Sequence, residues 1–196
     1  LGAGAERLAA NITAMSGGRL TIKVYAAGEL VPALECFGAV ANGTAQLGHD
    51  AAYYHTGKSE GAPFFTAFPF GFTTAEMDAW IKFGNGQKLW DELYAPFGIR
   101  AFHAGSTGTQ MLGWFRKEIR SLDDLKGLKF RAPGNQGRVL AKLGVTPVTL
   151  PGGEIFPALQ SGAIDAAEWI GPYNDLALGF YQVCKHYYSP GYHEPG

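Results

Sequence analysis

The sequence predicts an α/β fold of two lobes around a ligand cleft, and three observations carry that expectation. Helix-like and strand-like patterns alternate along most of the chain, which is the rhythm of a sheet covered by helices. The segment Glu35-Cys36-Phe37-Gly38-Ala39-Val40-Ala41-Asn42-Gly43 returns as Glu154-Ile155-Phe156-Pro157-Ala158-Leu159-Gln160-Ser161-Gly162. In both copies apolar residues recur at helical spacing, a glycine stands where the chain leaves the helix, and an alternating segment follows at once. Each copy also follows a glycine-containing turn, at Gly28 and at Gly152-Gly153, so the chain reads as two lobes built on one plan. The third observation is size and composition: 196 residues, 46% hydrophobic and 13% aromatic, can bury a substantial core. In such folds small ligands bind in the crevice near strand ends and helix N-termini.

Taken in order, Leu8, Ile12 and Met15 follow the spacing of an amphipathic helix that ends at Gly17-Gly18. A strand is expected over Leu20–Tyr25, a helix over about Val31–Ala41 and a strand over Ala45–Ala51, followed by a Phe/Pro/Gly-rich loop. Thr73 and Glu76 have capping-box spacing and open a helix with Met77, Trp80 and Ile81 on one face. It breaks near Gly84–Gly86, and Leu89, Trp90, Leu93 and Tyr94 continue a second piece. Strands are expected over Ile99–Ala104, Thr109–Phe115 and Leu128–Ala132, with a Ser121-capped turn before the last. A helix over Asn135–Leu143, a strand over Val145–Thr149, a helix over Glu154–Ser161 and a strand over Ala163–Glu168 complete the series. Both ends read as cut. The first helix has no strand before it to pack on, and the aromatic segment Tyr181–Tyr192 reads as the start of further structure.

The formal charge of −1, with 17% charged residues and no basic run, excludes the electrostatic footprint of a nucleic-acid groove or an anionic membrane surface. No run of about 18 apolar residues occurs, so no spanning helix is expected. Leu1–Met15 lacks the charged start, apolar centre and small-residue cleavage site of a signal peptide. Two cysteines, Cys36 and Cys184, define neither a disulfide framework nor a metal cluster and are expected as buried free thiols in helices. No Gly-x-Ser-x-Gly elbow, His-Glu-x-x-His helix or dinucleotide glycine fingerprint is present.

Three ordered motifs then carry a resemblance: Leu122-Asp123-Asp124-Leu125-Lys126-Gly127-Leu128-Lys129-Phe130-Arg131, Gly144-Val145-Thr146-Pro147-Val148, and Phe156-Pro157-Ala158-Leu159-Gln160-Ser161-Gly162-Ala163-Ile164-Asp165-Ala166-Ala167-Glu168-Trp169. Over nearly its whole length the chain resembles the solute-binding subunits of tripartite ATP-independent periplasmic (TRAP) transporters. Gly105–Met111 and Glu168–Tyr173 are similar to the branch that binds 2-oxo acids and hydroxy acids with a metal ion. The resemblance implies a periplasmic-binding-protein-like fold with lobe I over 1–107, rejoined by 169–196, and lobe II over 108–168. It implies a periplasmic binding protein, not an enzyme, that hands a small carboxylate to TRAP membrane permease subunits. Members of the family are longer, which agrees with truncation, and any homodimer would rest on a missing C-terminal segment.

Arg131, at the end of an apolar strand, can hold a carboxylate through two parallel N–H bonds. On residue type alone it could equally pair with Asp123 or Asp124. The resemblance aligns it with the family's carboxylate-binding arginine, in a wet cleft whose loss would spare the fold. Asn135, in Gly134-Asn135-Gln136-Gly137, could offer the same anion a helix N-terminus. Gln110 and Glu168 can supply side-chain oxygens and Trp169 a backbone carbonyl to a hard cation, sodium or calcium rather than zinc. Alone, Glu168 reads as a solvated or salt-bridged acid; the resemblance makes these three the metal ligands, with no catalytic cofactor. Tyr54 could bond a substrate oxygen while its ring lines the cleft, or sit in the core with Tyr53, Phe64, Phe65, Phe68 and Phe70. His49 and His55 read as structural. Two alternatives stay open: an enzyme using Glu168 with His49 or His55, and a carboxylate sensor without a transporter.

Overall fold

The computed structural model describes residues 2–191, which fall into two compact units that divide between Asp50 and Ala51. The first unit carries α1 (Gly2–Met15) and α2 (Cys36–Ala41). The face expected on α1 stays open, with Leu8 and Met15 exposed, because periodicity marks a surface able to pack without supplying what packs on it. The second unit adds α3 (Thr74–Phe83), α4 (Gly86–Tyr94), β1 (Gly113–Phe115), β2 (Lys129–Arg131), α5 (Gly134–Lys142), β3 (Thr146–Val148), α6 (Gly152–Ser161), β4 (Ala166–Ala167), α7 (Pro172–Leu178) and β5 (His186–Tyr188).

The second unit is built on one mixed sheet of order β3-β2-β4-β1-β5. β2 runs parallel to β3 and β4, whereas β1 runs antiparallel to β4 and β5. Strand alternation sends successive side chains to opposite faces. Phe115, Phe130 and Ala166 meet Leu125, Leu140 and Val145 in one core. Ala167 faces the other way, into a second core with Ile155, Leu159, Ile164, Phe180 and Cys184. The sheet therefore separates Leu140 of α5 from Ile155 and Leu159 of α6.

Local signals explain the ends of the elements. Thr73 and Glu76 form the expected capping box on α3, and Ser121 and Asp124 form one on the turn over Leu122–Leu125. The two copies of the internal motif end alike: Gly43 has φ +81° and Gly162 φ +79°, left-handed values that a residue with a Cβ adopts at a cost.

The strands are fewer and shorter than expected. No strand forms among the described residues at 20–25, 45–51 or 99–104, and only Gly113–Phe115 of the 109–115 segment pairs. Alternation qualifies a segment for a sheet, but a strand exists only where a neighbour accepts its hydrogen bonds. The helix expected over 31–41 is a 3-10 turn at Ala33–Glu35 leading into α2. Cys184 is free and buried, but it lies in a loop rather than a helix, and Cys36 is free and half-buried at the start of α2. The aromatic segment expected to begin further structure supplies β5, and its end at Tyr192 lies outside the described residues. No described helix is long and apolar enough to cross a membrane.

Candidate functional site

The site begins with the alternation of β2. Phe130 enters the core against α5, so the next residue, Arg131, points to the other face, where α6 lies. Its register partners are Val148 and Ala167, and the Glu168 N–H donates to the Arg131 carbonyl at 3.2 Å. Arg131 is thus placed beside the segment that leaves β4.

Arg131 is 0% exposed, which corrects the expectation of a wet cleft. A buried guanidinium is tolerated only when its donors are met and its charge is balanced. Nε donates to the Leu150 carbonyl at 3.1 Å, and Nη1 donates to the Glu168 carbonyl at 2.9 Å and to Glu168 Oε1 at 2.5 Å. Nη2 donates to the Tyr54 hydroxyl at 2.9 Å. Of the five guanidinium N–H groups, one on Nη2 has no acceptor among the described residues. Pairing with Asp123 or Asp124 does not occur: Asp123 pairs with Lys126 at 2.7 Å and Asp124 caps the 122–125 turn. The Trp169 ring completes the enclosure, its centroid 5.1 Å from Arg131 Cζ, within cation–π range.

Tyr54 comes from the 3-10 turn Ala52–His55. Its oxygen accepts from Arg131 and lies 3.5 Å from the Tyr53 hydroxyl, so its own proton is free to be donated. Burial beside Tyr54 holds the Tyr53 phenol well above its usual range.

Glu168 is 1% exposed, and burial pushes its carboxyl up from 4.5 to about 7, with Arg131 opposing and Asp175 reinforcing the rise. A group whose folded value lies above its unfolded one stabilises the fold below the unfolded value and loses that contribution as pH rises through the folded value. Stability is therefore expected to fall between about pH 4.5 and about pH 7. Arg131, Asp175 and Tyr53 are the other ionisable groups that bear on it, and Asp175, also raised by burial, adds in the same direction. Urea titrations of the wild type and Glu168→Gln across this range should diverge, with the flatter profile in the variant; parallel profiles would assign the pH dependence elsewhere.

Gln110 reaches the site through the β1–β4 register. Trp114 lies opposite Ala167 and Phe115 opposite Ala166. Continued outward, that register brings Met111 to Ile170, and the Met111 N–H donates to the Ile170 carbonyl at 2.9 Å. Gln110 and the Glu168–Trp169 segment are thus held on neighbouring stretches of backbone. Gln110 is 2% exposed, with its amide nitrogen 3.0 Å from Thr107 Oγ1. A side chain at Gly113, φ +131°, would run into the Ala167 carbonyl, so glycine there lets the two stretches lie close.

The donor set fits a hard cation. It offers a carboxylate, an amide oxygen and a backbone carbonyl, and among the described residues no cluster of three His, Cys, Asp or Glu suggests a softer metal. Charge points the same way. Arg131 is opposed by Glu168 and by Asp175, which is 1% exposed, so an entering anionic acid would leave this buried region short of positive charge unless a cation came with it.

Asn135, at the start of α5, lines a cavity of about 600 Å³ with Phe64, Phe68, Phe70, Arg138 and Lys142. Arg131 does not line that cavity, but the start of α5 stays on the Arg131 side, since a Cβ on Gly134 would lie 2.9 Å from Tyr53 Cβ. Phe65 is core, stacked on Trp80 and Trp90. His55 is buried in its turn and His49 is exposed in the first unit.

Asp175 was not legible as a site residue. Its carboxylate accepts from Trp114 Nε1 at 2.9 Å and from the Ile170 and Gly171 N–H groups at 3.1 Å each. It fastens β1 to the chain just after Trp169. The available signal was an acid one turn into a helix opened by Pro172.

Known proteins resemble the chain over nearly its whole length. The DctP family, bacterial extracellular solute-binding protein family 7, matches residues 1–195. A monocarboxylate 2-oxoacid-binding periplasmic protein of Nostoc sp. is 50% identical over 98% of this chain and 53% of its own length. A TRAP periplasmic solute-binding protein from Pseudoalteromonas atlantica, solved with sodium and pyruvate, has a TM-score of 0.94 and 46% identity over 98% of this chain and 58% of that one. One from Bordetella bronchiseptica, a mixed-occupancy dimer with calcium and picolinate at one site, has a TM-score of 0.95 and 42% identity over the same shares. The chain spans little more than half the length of these relatives.

Proposed function

The chain belongs to the bacterial extracellular solute-binding proteins of family 7, and from that premise we propose that it captures a small carboxylate outside the cytoplasm for delivery to a TRAP-type membrane permease. The preferred ligand is a 2-oxo acid such as pyruvate, with hydroxy acids as related candidates, and the protein binds it without transforming it. The observation that carries this reading is the buried Arg131, ringed by Glu168, Tyr54 and Trp169, with one Nη2 proton that no described residue accepts. That proton and the Tyr54 hydroxyl proton are two donors on adjacent groups, which suits a carboxylate, an acceptor-only ligand.

Gln110, Glu168 and the Trp169 carbonyl would hold a sodium or calcium ion. When bound, the ion supplies the positive charge that lets an anionic acid share a buried site with two carboxylates. Gly105 and Gly108, with φ of +144° and +75°, flank the crossing near Thr107 where the lobes would hinge; the second crossing is at Glu168–Trp169. Lobe I over 1–107 with 169–196 and lobe II over 108–168 then supply contacts from both sides only when closed, so ligand favours the closed state. A homodimer finds support in the dimer of the Bordetella protein.

Thermal-shift titration with pyruvate, lactate, an aromatic acid and a sugar acid, with and without calcium or sodium, tests the reading. The midpoint is expected to rise by several degrees with pyruvate and the ion together. No shift with any acid, or turnover of an acid, would overturn it.

A further inference from the structure

The geometry points to Gly152 as a specificity-determining position for the acid, an inference that rests on reading Arg131 as the carboxylate anchor. Gly152 and Gly153 open α6 side by side. Glycine weakens a helix relative to alanine, so a pair of them calls for a cause, and packing supplies one only for the first. A Cβ on Gly152 would lie 2.6 Å from Cη2, 3.0 Å from Cζ2 and 3.1 Å from Cζ3 of Trp169, whereas a Cβ on Gly153 would meet nothing within 4 Å.

The outer edge of the Trp169 indole therefore rests on the backbone of Gly152, while the centre of the ring system lies 5.1 Å from Arg131 Cζ. Any side chain at 152 must displace the ring, and a displaced ring changes the space beside the guanidinium. Two residues earlier, the Leu150 carbonyl accepts from Arg131 Nε at 3.1 Å. The start of α6 thus fixes Arg131 through a carbonyl and its aromatic neighbour through the lack of a side chain. Because the substituent of a bound 2-oxo acid extends from the carboxylate that Arg131 holds, the position of the indole sets how large a substituent fits. Gly152 keeps that position as it is.

The test compares Gly152→Ala, Gly153→Ala, Trp169→Phe and the double variant Gly152→Ala/Trp169→Phe in the chain as described. Without ligand, the near-ultraviolet circular dichroism lost in Trp169→Phe isolates the Trp169 signal; Gly152→Ala should change that signal and Gly153→Ala should not. With pyruvate, Gly152→Ala should bind about tenfold more weakly and should shift the preference between pyruvate and the bulkier 4-methyl-2-oxopentanoate. In the Trp169→Phe background the same change should cost about twofold or less, because phenylalanine lacks the outer ring atoms that the Cβ would strike. An unchanged signal in Gly152→Ala, an equal loss in both backgrounds, or an unchanged preference would overturn the inference. If the wild type binds no pyruvate, the carboxylate reading falls with that result, and the ligand-free signal still decides whether Gly152 places the ring.

Discussion

Arg131→Ala is expected to abolish binding of the acid and to lower the stability of the chain by about 3–5 kcal/mol, the usual cost of removing one partner of a buried ion pair. Two causes act together. The carboxylate ligand loses its cationic anchor, and Glu168, 1% exposed, is left with a buried charge or must hold a proton. The carbonyls of Leu150 and Glu168 and the Tyr54 oxygen lose their shared donor as well. Arg131→Lys should recover part of the stability, since a charge returns to the pocket, but little of the binding, since three rotatable donors on one nitrogen do not reproduce a planar fork serving acceptors on several sides. Calorimetric titration with pyruvate and urea denaturation check the two halves separately. Should Arg131→Ala fail to fold, Tyr54→Phe serves in its place: it removes one proposed ligand donor, leaves the ion pair intact and should weaken binding about tenfold, at a stability cost of about 1–3 kcal/mol because Arg131 Nη2 loses its acceptor. Wild-type affinity in Tyr54→Phe together with wild-type affinity in Arg131→Lys would remove the carboxylate clamp.

How far the site could be read from sequence differs from residue to residue, for physical reasons. Arg131 stood out as an arginine closing an apolar strand, but only the family resemblance favoured a carboxylate anchor over a partner of Asp123 or Asp124. Its full burial was not legible, because burial depends on Trp169, Leu150 and Tyr54, which approach from distant parts of the chain. The helices after residue 134 were legible because their apolar spacing, glycine ends and caps are local. The early strands were misread because a strand is a property of two segments, and alternation in one says nothing about its neighbour. Gln110 and Glu168 could be named only through a family resemblance. What brings their backbones together is the Met111–Ile170 bond, an extension of β1–β4 pairing across more than fifty residues of sequence. Asn135 was named because a helix N-terminus follows shortly after Arg131; that helix does begin at Gly134, and Asn135 also lines the cavity with Phe64 and Arg138.

The acid and the cation are expected to strengthen each other's binding, and Glu168→Gln is expected to remove most of that coupling. The expectation follows from charge confined where water cannot screen it. Glu168 bonds to Arg131 at 2.5 Å with Asp175 close enough to raise its proton affinity further, so an arriving acid adds a third negative charge to one guanidinium. A cation held by Gln110, Glu168 and the Trp169 carbonyl would offset that repulsion. Linkage then requires each ligand to raise the affinity of the other by one and the same factor, about 5- to 150-fold for couplings of about 1–3 kcal/mol. Replacing Glu168 by glutamine keeps an oxygen of similar reach while deleting a formal charge. Cation affinity should fall, and acid affinity measured without cation should hold or rise, because the carboxylate that repels the acid is gone. Gln110→Ala should weaken the coupling in the same direction by a smaller factor, since it deletes a neutral donor. Calorimetric titrations of pyruvate into chelator-treated protein, then with sodium and then with calcium, measure the factor directly. Equal affinities under all three conditions would make Glu168 solely the counter-ion of Arg131 and Gln110 an ordinary buried amide, with the acid held by Arg131 and Tyr54 alone.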